Sequence, residues 1–216
     1  MILPVSKMSA PDAPGSPSSA SIGSASTSAG STGAGSADAR VTTLELLNRC
    51  APDEFVALVG PVFEHSPWIA AAAVDHRPFA SRAHLHDVLR AIVAGAGVDR
   101  QVALIRAHPD LVARMTLTAE SSREQAAAGL LDLSPEDIAR FDCYNTAYKA
   151  RFGFPFVICA RRNKKDAMLQ AFPERLRHER DEEIAIALDQ IDQIAGLRLA
   201  DLIPEPAARH ASQPER

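Results

Sequence analysis

Two Ser-Pro pairs constrain this fold more than any other feature of the chain. Ser66-Pro67 opens "SPWIAAAAVDH" and Ser134-Pro135 opens "SPEDIARFDCYNTAYKARFG". Serine is a favoured helix N-cap, and proline suits the first helical position, where a missing N–H removes nothing the helix would use. Each pair therefore predicts a helix with a defined start. The second helix has Asp137 near its N-terminus, Lys149 and Arg151 near its end, and Gly153 beyond it. That order complements the helix dipole and ends in a C-cap.

Other segments carry the same helical signature. "VTTLELLNRC" puts Leu44 and Leu47 on one face, and "SRAHLHDVLRAIVAG" spaces Leu85, Val88, Leu89 and Ile92 by helical turns. "DRQVALIRAH" runs from Asp99 and must stop before Pro109, because the residue before a proline is pushed out of the helical region. "SSREQAAAGL" predicts a short Ala-rich helix, and "KKDAMLQAFPERL" a helix bent near Pro173. Ile184, Leu188, Ile191, Ala195, Leu199 and Leu202 keep one face of a long last helix apolar. "FPFVICA" differs: it is short, apolar and β-favouring with Pro155 inside, which predicts an extended or buried connector. Trp68 and Phe79 are expected in the core. The fold class is all-α, a single compact multi-helix domain with one short extended apolar segment.

Composition sets the domain limits. Residues 1–40 are mostly Ser, Ala and Gly and contain no aromatic residue. Such a stretch has too little apolar surface to offset its ordering entropy, so it is expected to be a disordered tail. It lacks the basic start and apolar core of a secretory signal and the Arg content of a transit peptide. Residues 41–204 fit one domain, and 205–216 a flexible C-terminal tail. A formal net charge of −4 among 216 residues makes no electrostatic case for nucleic acid. No apolar run is long enough to span a membrane. Cys50, Cys143 and Cys159 are odd in number and form no Cys-x-x-Cys pair, so neither a disulfide framework nor a zinc site is indicated. Reduced thiols in a cytoplasmic protein are the expectation.

Chemistry concentrates in "LIRAHPDLVARMTLTAESSREQ", residues 104–125. His108 stands where a helix must end. It either donates to the last carbonyls of that helix or transfers protons near neutral pH. Ser121 and Glu124 match a capping box, as do Ser122 and Gln125 one residue on; in the functional alternative Glu124 and Gln125 point into a pocket and Glu124 charges and orients His108. Arg198, between Leu197 and Leu199, is either a solvated edge residue or a bidentate holder of a carboxylate. His84 and His86 lie on different helical faces and do not share a metal. Read from the residues alone, the chain is a helical domain with a His/Glu/Arg constellation.

Taken together, "FEHSPWIA" (63–70), "RPF" (77–79), "AHPDLVAR" (107–114), "SSREQAAAGL" (121–130), "YNTAYKARFGFPFVICARR" (144–162) and "ERL…IAGLRLADL" (174–202) occur in one order. This combination resembles the OHCU decarboxylases, which act on 2-oxo-4-hydroxy-4-carboxy-5-ureidoimidazoline in urate breakdown. The resemblance covers nearly all of residues 44–203. It implies an all-helical enzyme, usually a homodimer, without metal or organic cofactor, that forms (S)-allantoin from this small molecule. It implies that His108 is catalytic with Glu124, and that Pro109, Ser121 and Gln125 bind substrate. Phe156, Val157, Ile158, Cys159 and Ala160 would line the pocket through their backbone, and Arg198 would hold a carboxyl or other polar group. Leu131 stands where the family often has Asp, and the connection from Pro109 to Ser121 is short. The alternatives are a related enzyme for another ureido or imidazolone acid, or a non-catalytic helical interaction module.

Overall fold

A computed structural model describes residues 42–112, 118–130 and 133–204. The expectations for the tails 1–40 and 205–216 and for Leu131 lie outside the described residues. Within them there are α-helices and three short 3-10 turns, and no strand.

The helices are α1 (Leu44–Arg49), α2 (Pro52–Val59), α3 (Pro67–Ala73), α4 (Arg82–Gly95), α5 (Val98–Arg106), α6 (Ala119–Ala127), α7 (Pro135–Phe152), α8 (Lys165–Arg175) and α9 (Arg180–Leu202). Several begin where the punctuation predicts. Ser81 Oγ accepts from the His84 amide at 3.0 Å, and Ser134 Oγ from the Asp137 amide at 3.1 Å. Ser66 occupies the N-cap of α3 with Pro67 at the first position, but its side chain makes no capping bond. Gly153 ends α7 at φ 78°, a left-handed conformation that glycine adopts without strain. Helix α2 was not anticipated individually. Its signals are Pro52 at the first position, acids at 53 and 54, and Phe55 and Val59 one turn apart, both buried. Helix α8 runs on through Pro173 and stops two residues later.

Helix α9 packs against α4, α5 and the 3-10 turn Gly60–Val62, while α2 packs on α3, α3 on α4, and α7 on α8. The close approach of α4 and α9 needs Gly196, since a Cβ there would lie 2.9 Å from the His86 ring. His86 Nε2 also meets the Asp192 carboxylate of α9 at 2.8 Å, so it is a structural histidine; His84 is exposed and bonds only locally, Nδ1 accepting from the Ala80 amide. Phe79 is core; Trp68 is half-buried beneath Arg100.

The segment 154–159 is the extended connector foreseen above. It runs irregularly between α7 and the 3-10 turn Ala160–Arg162. Phe154, Phe156, Val157 and Cys159 are buried; Phe156 stacks on Phe172 at 3.9 Å and meets Tyr148 edge-on at 5.2 Å. Aromatic packing therefore fixes its shape, and its backbone is left outside any ladder. Behind it lies a buried polar group. Arg175 donates to Glu183, to the Tyr148 hydroxyl and, through Nη1, to the Val157 carbonyl at 2.7 Å. Tyr148 also donates to Glu183.

Candidate active site

One cavity of about 40 Å³ is lined by His108, Pro109, Leu111, Ser121, Glu124, Gln125, Phe156, Val157, Ile158, Ala160, Ile194 and Arg198. The end of α5, the first half of α6, the 154–160 segment and the last third of α9 thus converge. Of the residues singled out from sequence, only Cys159 does not line it. Its side chain is fully buried and its amide donates to Gln190 Oε1 at 3.0 Å. A larger cavity of about 430 Å³ adjoins; Glu124 and Arg198 line both.

Local structure sets His108. Proline at 109 ends α5, and the His108 amide still bonds to Ile105 at 3.1 Å. Its ring Nδ1 lies 3.0 Å from the Leu104 carbonyl. A carbonyl only accepts, so Nδ1 carries the hydrogen and Nε2 keeps a lone pair. The loop behind the ring is fastened from two sides. Gln125 Oε1 accepts from the Val112 amide at 3.0 Å, and Asn145 Nδ2 donates to the Leu111 carbonyl at 2.9 Å. Val112 has φ 63°, which is strained for a β-branched residue and persists because these bonds hold it.

Burial dominates the electrostatics of His108. The ring is 7 % exposed, and desolvation pushes its pKa down to about 4, against the raising effects of the Leu104 carbonyl and Glu64. Arg198 and His65 lower it further. The imidazole is therefore neutral at pH 7, a base rather than a standing acid. The stability consequence has a definite direction. Between pH 6.5 and 4 the unfolded chain takes up a proton that the folded chain refuses, so stability from this group is complete above pH 6.5 and is lost on acidification toward 4. The loss is on the order of 3 kcal/mol. Urea unfolding at pH 7 and pH 4.5 should show a smaller drop in His108→Gln than in the parent chain, and equal drops would contradict the assignment.

Arg198 is the hub of the polar wall. Its Nε and Nη2 reach the two Glu124 oxygens at 2.9 and 2.8 Å. Nη2 also reaches Ser121 Oγ at 3.2 Å, while Nη1 reaches Glu64 Oε2 at 2.9 Å and the Pro61 carbonyl at 3.3 Å. Five bonds use all five guanidinium hydrogens. Burial works against the charge, but the Glu124 and Glu64 carboxylates outweigh it and raise the Arg198 pKa. This corrects the expected Glu124–His108 pair: both Glu124 oxygens belong to Arg198, and the Leu104 carbonyl orients the His108 ring. The capping box is corrected too. Thr118 caps α6, its Oγ1 accepting from the Ser121 amide at 3.2 Å, so Ser121 and Glu124 lie inside the helix with their side chains free for the wall.

Glu64 escaped the sequence reading as a site residue. It is 2 % exposed, and its Oε1 accepts from Thr118 Oγ1 at 2.6 Å and Ser121 Oγ at 3.0 Å. Burial raises its pKa, but these bonds and Arg198 more than offset that and leave it lowered. The one sequence signal was an acid within the apolar "VFEHSPW".

Comparisons with known proteins identify the family. The profile of the family described as OHCU decarboxylase matches residues 48–200. A 2-oxo-4-hydroxy-4-carboxy-5-ureidoimidazoline decarboxylase of Haloferax volcanii is 41 % identical over 159 residues, covering 74 % of this chain and 95 % of that one. One from Amia calva is 42 % identical over 165 residues, covering 74 % and 94 %. Among solved structures, an (S)-allantoin synthase superposes with a TM-score of 0.62 at 28 % identity, over 75 % of this chain and 54 % of that one. An OHCU decarboxylase crystallised in the presence of (S)-allantoin gives 0.57 at 25 % identity, over 71 % and 99 %. With the family model matching most of the chain and relatives about 40 % identical over three quarters of it, the chain belongs to the OHCU decarboxylase family.

Proposed function

We propose that this chain decarboxylates 2-oxo-4-hydroxy-4-carboxy-5-ureidoimidazoline to (S)-allantoin. The observation that carries the reading is a buried, neutral imidazole, its Nε2 unprotonated, lining a cavity whose wall includes a carboxylate, amides and an arginine, in a chain of this family.

The substrate supplies its own electron sink. When the bond from C4 to the carboxylate breaks, its pair forms C4=C5, the C5=N pair moves onto nitrogen, and that nitrogen takes a solvent proton. The resulting enol passes its hydroxyl proton to His108 Nε2, C4 becomes a carbonyl, and the imidazolium returns the proton to C5. A base of depressed pKa accepts only transiently and returns the proton readily. Delivery from one face sets one configuration. The protein's task is to hold a flat ring and this one base in register.

The wall suits that task. The amides of Val157, Ile158 and Ala160 have no hydrogen-bond partner among the described residues, which leaves them for ring oxygens and nitrogens. Gln125 spends one amide hydrogen on the Asp110 carbonyl at 3.4 Å and keeps another. Pro109 and Phe156 pack the cavity edge. The site as it stands has room for about one water, so substrate displaces part of the wall. The reading extends to a homodimer in the cytoplasm, on the family resemblance and the three free cysteines.

Circular dichroism tests the reaction. Substrate is generated in the cuvette from urate with urate oxidase and 5-hydroxyisourate hydrolase. The expected result is rapid appearance of one allantoin enantiomer; unchanged spontaneous, racemic decay would remove the proposal.

A further inference from the structure

The two carboxylates on Arg198 are held very differently. Glu64 is enclosed, with three side-chain donors around it: Thr118, Ser121 and Arg198. Glu124 has Arg198 as its only side-chain partner among the described residues, and it borders both the small cavity and the large one. Arg198 has no donor left over for an anionic ligand. An incoming carboxylate must therefore take a place that one of the two glutamates now holds, and only one of them has little else to keep it.

We propose that Glu64 is a positioning residue: it anchors Arg198 and Ser121 in the cavity wall while Glu124, held by Arg198 alone, yields its place to the anionic group of the substrate. The idea rests on the decarboxylase reading above and adds an order of events to it. The guanidinium does not travel with Glu124 because Glu64 Oε2 and the Pro61 carbonyl retain Nη1. Ser121 stays because Glu64 Oε1 accepts its hydroxyl. The displaced Glu124 carboxylate has the adjoining 430 Å³ cavity to turn into, where Arg123 and Arg161 are among the lining residues. Arg161 is paired there with Asp201 at 2.5 Å and Arg123 with Glu120 at 3.0 Å, so that space is already ionic.

The anchoring makes Glu64 and Arg198 one unit, which a double-mutant cycle detects. Steady-state kinetics would be measured for wild type, Glu64→Gln, Arg198→Lys and the double variant. Gln at 64 keeps an acceptor for Thr118 and Ser121 but loses the charge on Arg198. Arg198 then follows Glu124, and substrate must separate them without help. Glu64→Gln should lower kcat/KM about tenfold or more, chiefly by raising KM, and the double variant should be no worse than Arg198→Lys alone. Glu64→Asp, which keeps the charge, should recover part of the loss. General damage to the fold would reduce the active fraction and so kcat, with KM unmoved. Should Glu64→Gln fail to fold, the cycle is run with Glu64→Asp and read by its coupling to Arg198→Lys alone, a double variant no worse than Arg198→Lys being expected and multiplying losses overturning the proposal. Losses that simply multiply, a KM equal to wild type, or a kcat/KM within about twofold of wild type would overturn the proposal. A wild-type protein without activity would instead bring down the decarboxylase reading and this inference together.

Discussion

Replacing His108 by Asn should lower kcat by at least about 100-fold and leave substrate to decay to racemic allantoin. Among the described residues lining the cavity, the imidazole is the one that is both buried and ionisable near neutral pH in its free state. Its Nδ1 is committed to Leu104, which leaves Nε2 for the transfer in the proposed mechanism. Asparagine can keep a donor toward the loop but offers no comparable base. The cavity wall does not depend on the ring: Arg198, Glu64, Glu124 and Ser121 bond to one another. Far-UV circular dichroism and the thermal midpoint should therefore stay near those of the parent chain, while the appearance of optical activity slows. Wild-type turnover in this variant would reassign the proton transfer to another group.

The largest stability effect is expected at Arg175. Glu183 is fully buried, and Arg175 lies against it at 3.0 Å through Nε and 2.8 Å through Nη2. Burial alone would raise the Glu183 pKa; bonds from Arg175 and Tyr148 outweigh it and hold the carboxylate ionised. Arg175→Met removes the main compensating charge and leaves Glu183 to Tyr148 and to His178, whose Nδ1 lies 2.7 Å away. Breaking one side of a buried pair costs about 3–5 kcal/mol. For a domain of this size that is a fall of about 10 °C in thermal midpoint. Arg175 also stacks on the Phe156 ring at 4.3 Å and holds the Val157 carbonyl, so kcat/KM should fall with stability. A double replacement, Arg175→Met with Glu183→Leu, should be milder than Arg175→Met alone, because no unpaired charge remains. Differential scanning calorimetry of the three proteins decides this, and a single variant within about 1 kcal/mol of the parent would refute the argument.

Both expectations concern residues of different legibility. His108 was visible because Pro109 forces a helix end at a titratable residue, a local rule. Arg175 and Glu183 were invisible as a pair, since two charges in α8 and α9 read as ordinary solvated positions until the chain folds them inward. Ser121 and Glu124 show the opposite case. Their spacing fits a capping box, yet Thr118 is the cap, because Thr118, Ser121 and Ser122 all carry capping-compatible side chains and leave the register undecided. Only the position of Glu64, 57 residues before Ser121, settles where that side chain goes.

What the sequence determined by itself was the set of local facts: where several helices begin and end, which faces are apolar, that 154–159 resists a helix, and which residues match the family. Caps, prolines and apolar spacing act within a few residues, so a linear reading captures them. What only the tertiary structure decided was partnership. Arg198, on α9, divides its five donors among Glu124 and Ser121 of α6, the Pro61 carbonyl of the Gly60–Val62 turn, and Glu64 just after that turn, elements distant in sequence that only folding brings together. The charge state of His108 belongs to the same class. Desolvation sets it, and no residue is desolvated until the rest of the chain has closed around it.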